Sequence, residues 1–445
     1  MKDLPLSFEF LLRYLRRVIE ALEDPRKPSN NHRYALMDVV LGAFSAFFMQ
    51  NESFLEHQRQ LHSRCGRNNA QTLFGVLKIP SSAQIRNVLD GIPASGLFPI
   101  FGWVYQALKQ RGYLKSYEIL SGQLLVVLDG CEYHSSSKVH CPCCSQRTHK
   151  TGKVTYFHSA ILPAIVHPEK EEVISLAPEF IHPQDGHKKQ DCEIEAAKRW
   201  VTNNASLFEG QGITLLGDDL YSHQPMIVKA LMHNLNFIFV CLLQSHAALE
   251  QWLTFLDKTG EIKTFEHKRY LNGQGEIWSY RYVNQIPVRN EEPAQMVNWC
   301  ELTVKRDKDG EVIYHNSWVT NHSLSPEVLP EIAAAGRGRW KTENENHNVL
   351  KNRGYHLEHN FGHGQHHLSM FLLTLNLLAF LFHTVLGLVD QRYQRARQQR
   401  GTRRGFFQDL LSLTKYLLFE GWEHLLEFLL DESPPQFAPR MTNSS

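Results

Sequence analysis

Two short apolar runs each stop on an aspartate: Leu124-Leu125-Val126-Val127-Leu128 at Asp129, and Ile213-Thr214-Leu215-Leu216-Gly217 at Asp218. Far downstream, Arg339-Trp340-Lys341-Thr342-Glu343 opens a helical pattern that carries a third carboxylate. Carboxylate oxygens are hard donors suited to Mg²⁺ or Mn²⁺, and three of them brought together can hold two such ions against a phosphodiester. The chemistry open to that set is cutting and joining of DNA strands. Its requirement is geometric: two strand ends and a helix must gather residues that lie far apart in the chain.

Each carboxylate has rivals. Successive strand residues point to opposite faces, so only one of Asp218 and Asp219 can aim at a shared site. Asp218 ends the apolar run and begins Asp-x-x-Tyr with Tyr221, and it is preferred to Asp219. On a helix at ~100° per residue, Arg339, Trp340, His347 and Leu350 fall within about 60° of Glu343, whereas Glu345 lies about 200° away. That periodicity predicts Glu343 on the buried face and Glu345 toward solvent. The plainer alternatives are a turn cap for a lone strand-end aspartate and a salt bridge of Glu343 to Arg339 or Lys351.

The elements around these residues follow a recognisable order. Residues 1–120 read as helices, with apolar residues at three- and four-residue intervals through Phe8–Leu22, Tyr34–Phe48 and Phe98–Leu108. Ser81-Ser82 caps a short helix that bears Arg86, a candidate DNA contact. From 121 to 244 the pattern predicts strands at Leu124–Asp129, Val154–Val166 and Glu172–Leu176. A helix at Lys189–Asn203, a strand at Ile213–Gly217, a helix at Pro225–His233 and a strand at Asn236–Leu242 follow. The order βββαβαβ is that of an α/β, RNase H-like mixed sheet, in which the first and fourth strands lie side by side and parallel. Residues 245–320 read as a β-rich insertion, 321–390 as the helices completing the core, and 391–445 as a basic helical tail whose Pro- and Ser-rich end is frayed.

At 445 residues the chain is long enough for several domains, and 42% hydrophobic content with 11% aromatics suits a folded protein. A formal net charge of +1 does not announce a nucleic-acid partner, so charge must be read locally. Residues 391–404 hold Arg392, Arg395, Arg397, Arg400, Arg403 and Arg404 without an acid; such a run is a solvated face or arm, or a phosphate clamp. No signal peptide is apparent, and Leu368–Leu388, though apolar enough to span a bilayer, reads better as a buried core helix. The location expected is therefore cytoplasmic and nucleoid-associated, with no membrane partner.

The segments Leu124–Asp129-Gly130, Gly217-Asp218-Asp219-Leu220-Tyr221 and Arg339–Glu343, with Arg353-Gly354-Tyr355-His356-Leu357-Glu358, resemble the DDE transposases of bacterial insertion sequences. The closest group carries a β-rich insertion before its glutamate, and the long stretch between Asp218 and Glu343 leaves room for one. In the family motif Tyr-x2-Arg-x3-Glu-x6-Lys, Arg339 and Glu343 match; Gly336 stands at the tyrosine position, and Lys351 falls one residue late. The resemblance implies Asp129, Asp218 and Glu343 as catalytic Mg²⁺ (or Mn²⁺) ligands and Arg339 and Lys351 as neutralisers of phosphate charge. It further implies a homodimer on double-stranded transposon ends and target DNA, where hydrolysis frees a 3′-OH that then attacks the target. An RNase H-like nuclease without strand transfer and a non-catalytic, transposase-derived DNA-binding regulator are the alternatives.

A cysteine–histidine cluster follows Asp129 at once. Cys141-x2-Cys144 has the knuckle spacing of a structural zinc site. His140 or His149, with His134 or His158, would complete a tetrahedron, and Cys141, Cys144, His140 and His149 are the leading set. The alternative is a loop of buried or incidental thiols in a reduced compartment. His356, His359, His363, His366 and His367 are expected on a polar helix face or against DNA, not as ligands.

Overall fold

The structure, a computed structural model, describes residues 6–29, 32–182, 192–271 and 273–430. The expected frayed tail from Ser433 and the first residues of the helix expected from Lys189 lie outside them.

The protein is mixed α/β. The strands are β1 (Gln123–Val127), β2 (Gly130–Ser136), β3 (Ser145–Thr148), β4 (Val154–Ile161), β5 (Ala164–Val166), β6 (Ile174–Ser175), β7 (Glu179–Ile181), β8 (Gly212–Gly217), β9 (Asn236–Val240), β10 (Lys263–Leu271), β11 (Gln274–Pro287), β12 (Met296–Arg306) and β13 (Val312–Thr320). Nine of them form one sheet in the order β10-β11-β12-β13-β9-β8-β1-β5-β6, and β2, β3 and β4 form a second, with β7 paired to β4. β1 and β8 are parallel neighbours, with Leu124 opposite Ile213 and Val127 opposite Leu216. Both runs are apolar because nearly every residue in them is buried, which leaves no wet side for alternation.

Two features differ from expectation. The stretch read as one strand, Val154–Val166, breaks at Leu162-Pro163 into β4 and β5, which belong to different sheets. The break is fastened where Leu162 N–H donates to Asp129 C=O at 3.0 Å. The β-rich segment read as an insertion is continuous with the core, because β13 pairs antiparallel with β9 through Trp318–Val240 and Thr320–Ile238.

The helices before the sheet are α1 (Phe8–Glu20), α2 (Leu36–Phe48), α3 (Phe54–Leu61), α4 (Gly66–Phe74), α5 (Ser82–Leu89) and α6 (Pro99–Gln110). Within and after it lie α7 (Glu193–Asn204), α8 (Gln224–Met232), α9 (Ala247–Thr259), α10 (Leu329–Arg337), α11 (Asn348–Asn352), α12 (Leu368–Val389), α13 (Gln391–Gln399), α14 (Arg403–Tyr416) and α15 (Trp422–Leu429). The first and last helices interlock. Phe8 of α1 packs on Phe48 (centroids 4.5 Å apart) and on Trp422 of α15 (5.0 Å), and Asn69 Nδ2 donates to the carbonyls of Thr414 and Leu417 at 2.7 Å each. α12, long and apolar enough to cross a membrane, is instead packed inside this helical body, with 83% of its most apolar window buried.

The arginine run forms α13 and the start of α14. Several of its members are engaged internally: Arg392 with Glu427 at 3.3 Å, Arg400 with Asp409 at 3.1 Å, and Arg403 with the Tyr355 hydroxyl at 2.7 Å.

Asp90, the residue after α5, holds the start of α12. Its carboxylate accepts the backbone N–H groups of Gln365, His366, His367 and Leu368 at 2.9–3.2 Å. The last two are orphan donors of the α12 N-terminus and the first two belong to the turn before it, all met by a negative charge that also complements the helix dipole. Asp90→Ala is expected to lower the unfolding free energy by about 2–3 kcal/mol. Urea denaturation tests this, and a loss below about 0.5 kcal/mol would show that water serves those donors equally well.

Two buried histidines make the fold acid-sensitive. Burial pushes His57 down to about 3 and His322 down to about 4. Each is satisfied as a neutral ring: His57 lies between Ser45 Oγ (2.8 Å) and Asn51 Nδ2 (2.9 Å), and His322 Nε2 meets Thr214 Oγ1 (2.9 Å). Unfolded histidine protonates near pH ~6.5, so below that the unfolded chain binds more protons and the native state loses stability as pH falls. Thermal unfolding is expected to shift down steadily between pH 7 and pH 4.5, with a shallower slope in His322→Gln.

Candidate active site and a buried thiol–imidazole cluster

The β1–β8 register sets the site. Because Val127 lies opposite Leu216, and Leu128 N–H donates to Leu216 C=O at 2.9 Å, Asp129 and Asp218 leave adjacent parallel strands at matching positions. Their backbones are then about 5 Å apart, the spacing of neighbouring strands. Asp218 also caps the turn that follows, accepting Leu220 N–H at 2.9 Å. Asp219 is committed elsewhere: it accepts Leu242 N–H and Ser245 Oγ–H at 2.5 Å each and lies 3.4 Å from His246 Nε2. With His223 and His246 it forms a small Asp/His grouping.

Glu343 approaches from the chain beyond α10. The expected regular helix over Gly338–Lys351 is interrupted by a π-helical turn, Thr342–His347, before α11. The wide i→i+5 turn rotates everything after it, so a regular helical wheel fails there. The burial is accordingly the reverse of that expected: the Glu343 side chain is 55% exposed and Trp340 is exposed, while Glu345 is half-buried. Glu343 is nonetheless near enough for its charge to raise both aspartates. Its Oε1 is 2.8 Å from Arg339 Nη2, and His347, on the same turn, places Nδ1 3.6 Å from Asp129 Oδ2. Burial pushes His347 down to about 4, so at neutral pH it adds no positive charge.

A fourth carboxylate, absent from the sequence reading, completes the group. Glu193 opens α7, next to the exposed Cys192. Glu193 Oε1 accepts the Tyr221 hydroxyl at 2.8 Å, and a Cβ on Gly130 would overlap Glu193 Oε2. Tyr221 is fully buried, and its ring lies so close over Gly217 that a Cβ there would come within 2.6 Å of it. The Asp-x-x-Tyr segment thus uses its tyrosine to hold a glutamate from another helix. The signal that would have found Glu193 is that need: a buried tyrosine hydroxyl requires a partner.

The electrostatics follow from the crowding. Burial pushes the Asp129 carboxyl up to about 7; Arg339 opposes this, while the charges of Glu193, Asp218 and Glu343 add to it. Burial likewise raises Asp218, helped by Asp219 and Glu343, and raises Glu193, helped by Asp218. Arg339 acts on Asp129 and Asp218 and pairs with Glu343, and the mutual repulsion of these acids is what a bound cation would relieve.

The remaining expected contacts are placed as follows. Lys351 Nζ pairs with Glu358 at 2.8 Å, and Arg86 spends its Nε on the Phe361 carbonyl at 2.8 Å, tying α5 to the segment before α12. Gly336, where the family pattern has tyrosine, is covered by the Trp318 indole, which a Cβ would meet at 2.6 Å. A larger side chain has no room there.

The cysteine–histidine cluster forms with a partly different membership. Cys141, Cys144, His158 and His363 are all buried, and their ligand atoms lie within 4.8 Å of one another, an arrangement able to hold a metal ion. His140 is not among them: it is exposed and stacks on Tyr156 (4.2 Å). Nor is His149, which pairs with Thr155 Oγ1 at 2.8 Å. Both lie on the solvent side of the hairpin, so the leading set is corrected to one member from β4 and one from the segment before α12. His363, expected on a polar face, is a member.

No protein-family model matches the chain, and no curated protein is significantly similar to it.

Proposed function

We propose that the chain is a divalent-cation-dependent DNA transposase of the DDE type built on an RNase H-like core, with Asp129, Asp218 and Glu343 as its metal ligands. One observation carries the reading: the parallel neighbours β1 and β8 run out at matching positions into Asp129 and Asp218. Glu193, Asp218 and Glu343 all act to raise the buried Asp129 carboxyl, against Arg339. The three carboxylates are an all-oxygen donor set, which favours Mg²⁺ or Mn²⁺ over softer ions.

Bound there, the ions would supply an activated water and neutralise charge on the phosphodiester. The chain's own residues do the rest. Asp129 and Asp218 are anchored by the strand register and hold the fixed side of the site. Glu343, exposed and paired with Arg339, would close the open side, and the planar fork of Arg339 would be suited to neutralise a phosphate oxygen there. Lys351 is a second phosphate neutraliser if it parts from Glu358. The partners are double-stranded transposon ends and target DNA, held by a dimer.

A donor duplex bearing the element's terminal repeat, incubated with a target plasmid and Mg²⁺, should yield joined products. Cleavage without joining would point to a nuclease of the same architecture, and binding without cleavage to a regulator.

A further inference from the structure

We propose that Cys141, Cys144, His158 and His363 bind one zinc ion, and that this ion clamps the hairpin running on from Asp129 to the segment running on from the Glu343 helix. Zinc binding itself does not depend on the transposase reading; the consequence for the carboxylates does.

The interatomic distances suit the ion. Cys141 Sγ and Cys144 Sγ are 3.9 Å apart, His158 Nε2 is 3.4 Å from each sulfur, and His363 Nε2 is 3.4 Å from Cys144 Sγ. A tetrahedral zinc with its usual bond lengths would place sulfurs about 3.8 Å apart and sulfur and nitrogen about 3.6 Å apart. Hydrogen bonding does not explain the same convergence. One thiol sulfur, Cys144 Sγ, faces a second thiol, two imidazole nitrogens and the Cys141 N–H at 3.4 Å, while a thiol offers one weak donor. Two thiolates and two neutral imidazoles around a divalent cation make a neutral unit, which burial tolerates, and their softness selects zinc over the hard ions of the carboxylate site. The turn is pre-shaped for it: Cys144 N–H donates to the Cys141 carbonyl at 3.1 Å and Cys141 N–H points at Cys144 Sγ.

The placement gives the ion its role. Cys141 and Cys144 sit in the turn between β2 and β3, and His158 is on β4, the strand that pairs with β2 directly after Asp129. His363 lies 219 residues beyond Cys144, in the segment that Arg86 and Asp90 also grip. The four ligands therefore join the chain leaving the first aspartate to the chain leaving the glutamate.

Metal analysis of the full-length protein, purified from zinc-replete medium without chelators, should find about one zinc per chain. Cys144→Ser and His363→Ala should lose at least tenfold of it, His363→Cys should retain it, and the controls His140→Ala and His149→Ala should keep it. Cobalt substitution should give the intense visible bands of tetrahedral thiolate coordination. A zinc-free wild-type protein, or full occupancy in His363→Ala, overturns the site. Hydrogen exchange tests the clamp: chelation should speed exchange of amides in residues 358–366 at least tenfold. Unchanged exchange with zinc removed overturns it. None of these readouts involves DNA, so they stand or fall apart from strand-transfer activity.

Discussion

Asp129→Asn should abolish divalent-dependent DNA cleavage and joining, a loss of at least ~10³-fold, while DNA binding and the fold survive. The amide keeps the shape and removes the charge that a cation needs, and a lost metal ligand costs several kcal/mol of transition-state stabilisation. The same variant has a second, opposite effect. Because Asp129 is raised to about 7, the native carboxyl holds its proton through the interval from pH ~4 to pH ~7, where the unfolded one has lost it. The Asp129 contribution to stability in metal-free buffer therefore falls as pH rises through that window, opposite in sign to the contributions of His57 and His322. Asp129→Asn removes this fall, so at pH 8 without Mg²⁺ it should melt above the wild type. Mg²⁺ should raise the wild-type melting temperature at pH 8 more than at pH 6 and leave the variant nearly unmoved. Cleavage retained by Asp129→Asn would refute the assignment of the site.

Glu193→Gln should have the next largest effect. It removes one of the negative charges that keep Asp129 protonated and leaves the buried Tyr221 hydroxyl a neutral, weaker acceptor in place of a charged one. Mg²⁺ affinity and cleavage should both fall by ~10²-fold, with Tyr221→Phe losing less because it frees the glutamate without discharging it. Gly130→Ala is the complementary probe: its methyl occupies the space of Glu193 Oε2, so it should displace the carboxylate while leaving its charge in place. If Glu193 only props up Tyr221, Glu193→Gln will lower the melting temperature and leave the Mg²⁺ dependence of cleavage untouched.

What the sequence disclosed follows the range of the forces involved. The two strands ending in Asp129 and Asp218 were legible because burial on both faces writes an unbroken apolar run, and the β13-side strands were legible from alternation and their turns. The π-helical turn was not, since a wheel assumes one angular step per residue, and Thr342–His347 widens it. So the inner and outer faces around Glu343 were exchanged. Glu193 was hidden because an acid in the first turn of a helix is also what the dipole favours at any exposed N-terminus. The knuckle Cys141-x2-Cys144 announced itself locally, whereas His158 and His363 are supplied by a strand pairing and a long-range loop that no spacing encodes.

The interlocked ends of the chain bear on how the protein is made. Phe8, Phe48 and Asn69 each take a partner from residues 414–422, so the N-terminal helices emerge from the ribosome hundreds of residues before part of the surface that covers them. Until residues 414–422 are made, they carry uncovered aromatic faces that invite chaperone capture. Expressing residues 1–120 alone should therefore give an aggregating fragment, and soluble preparations will need residues 414–422.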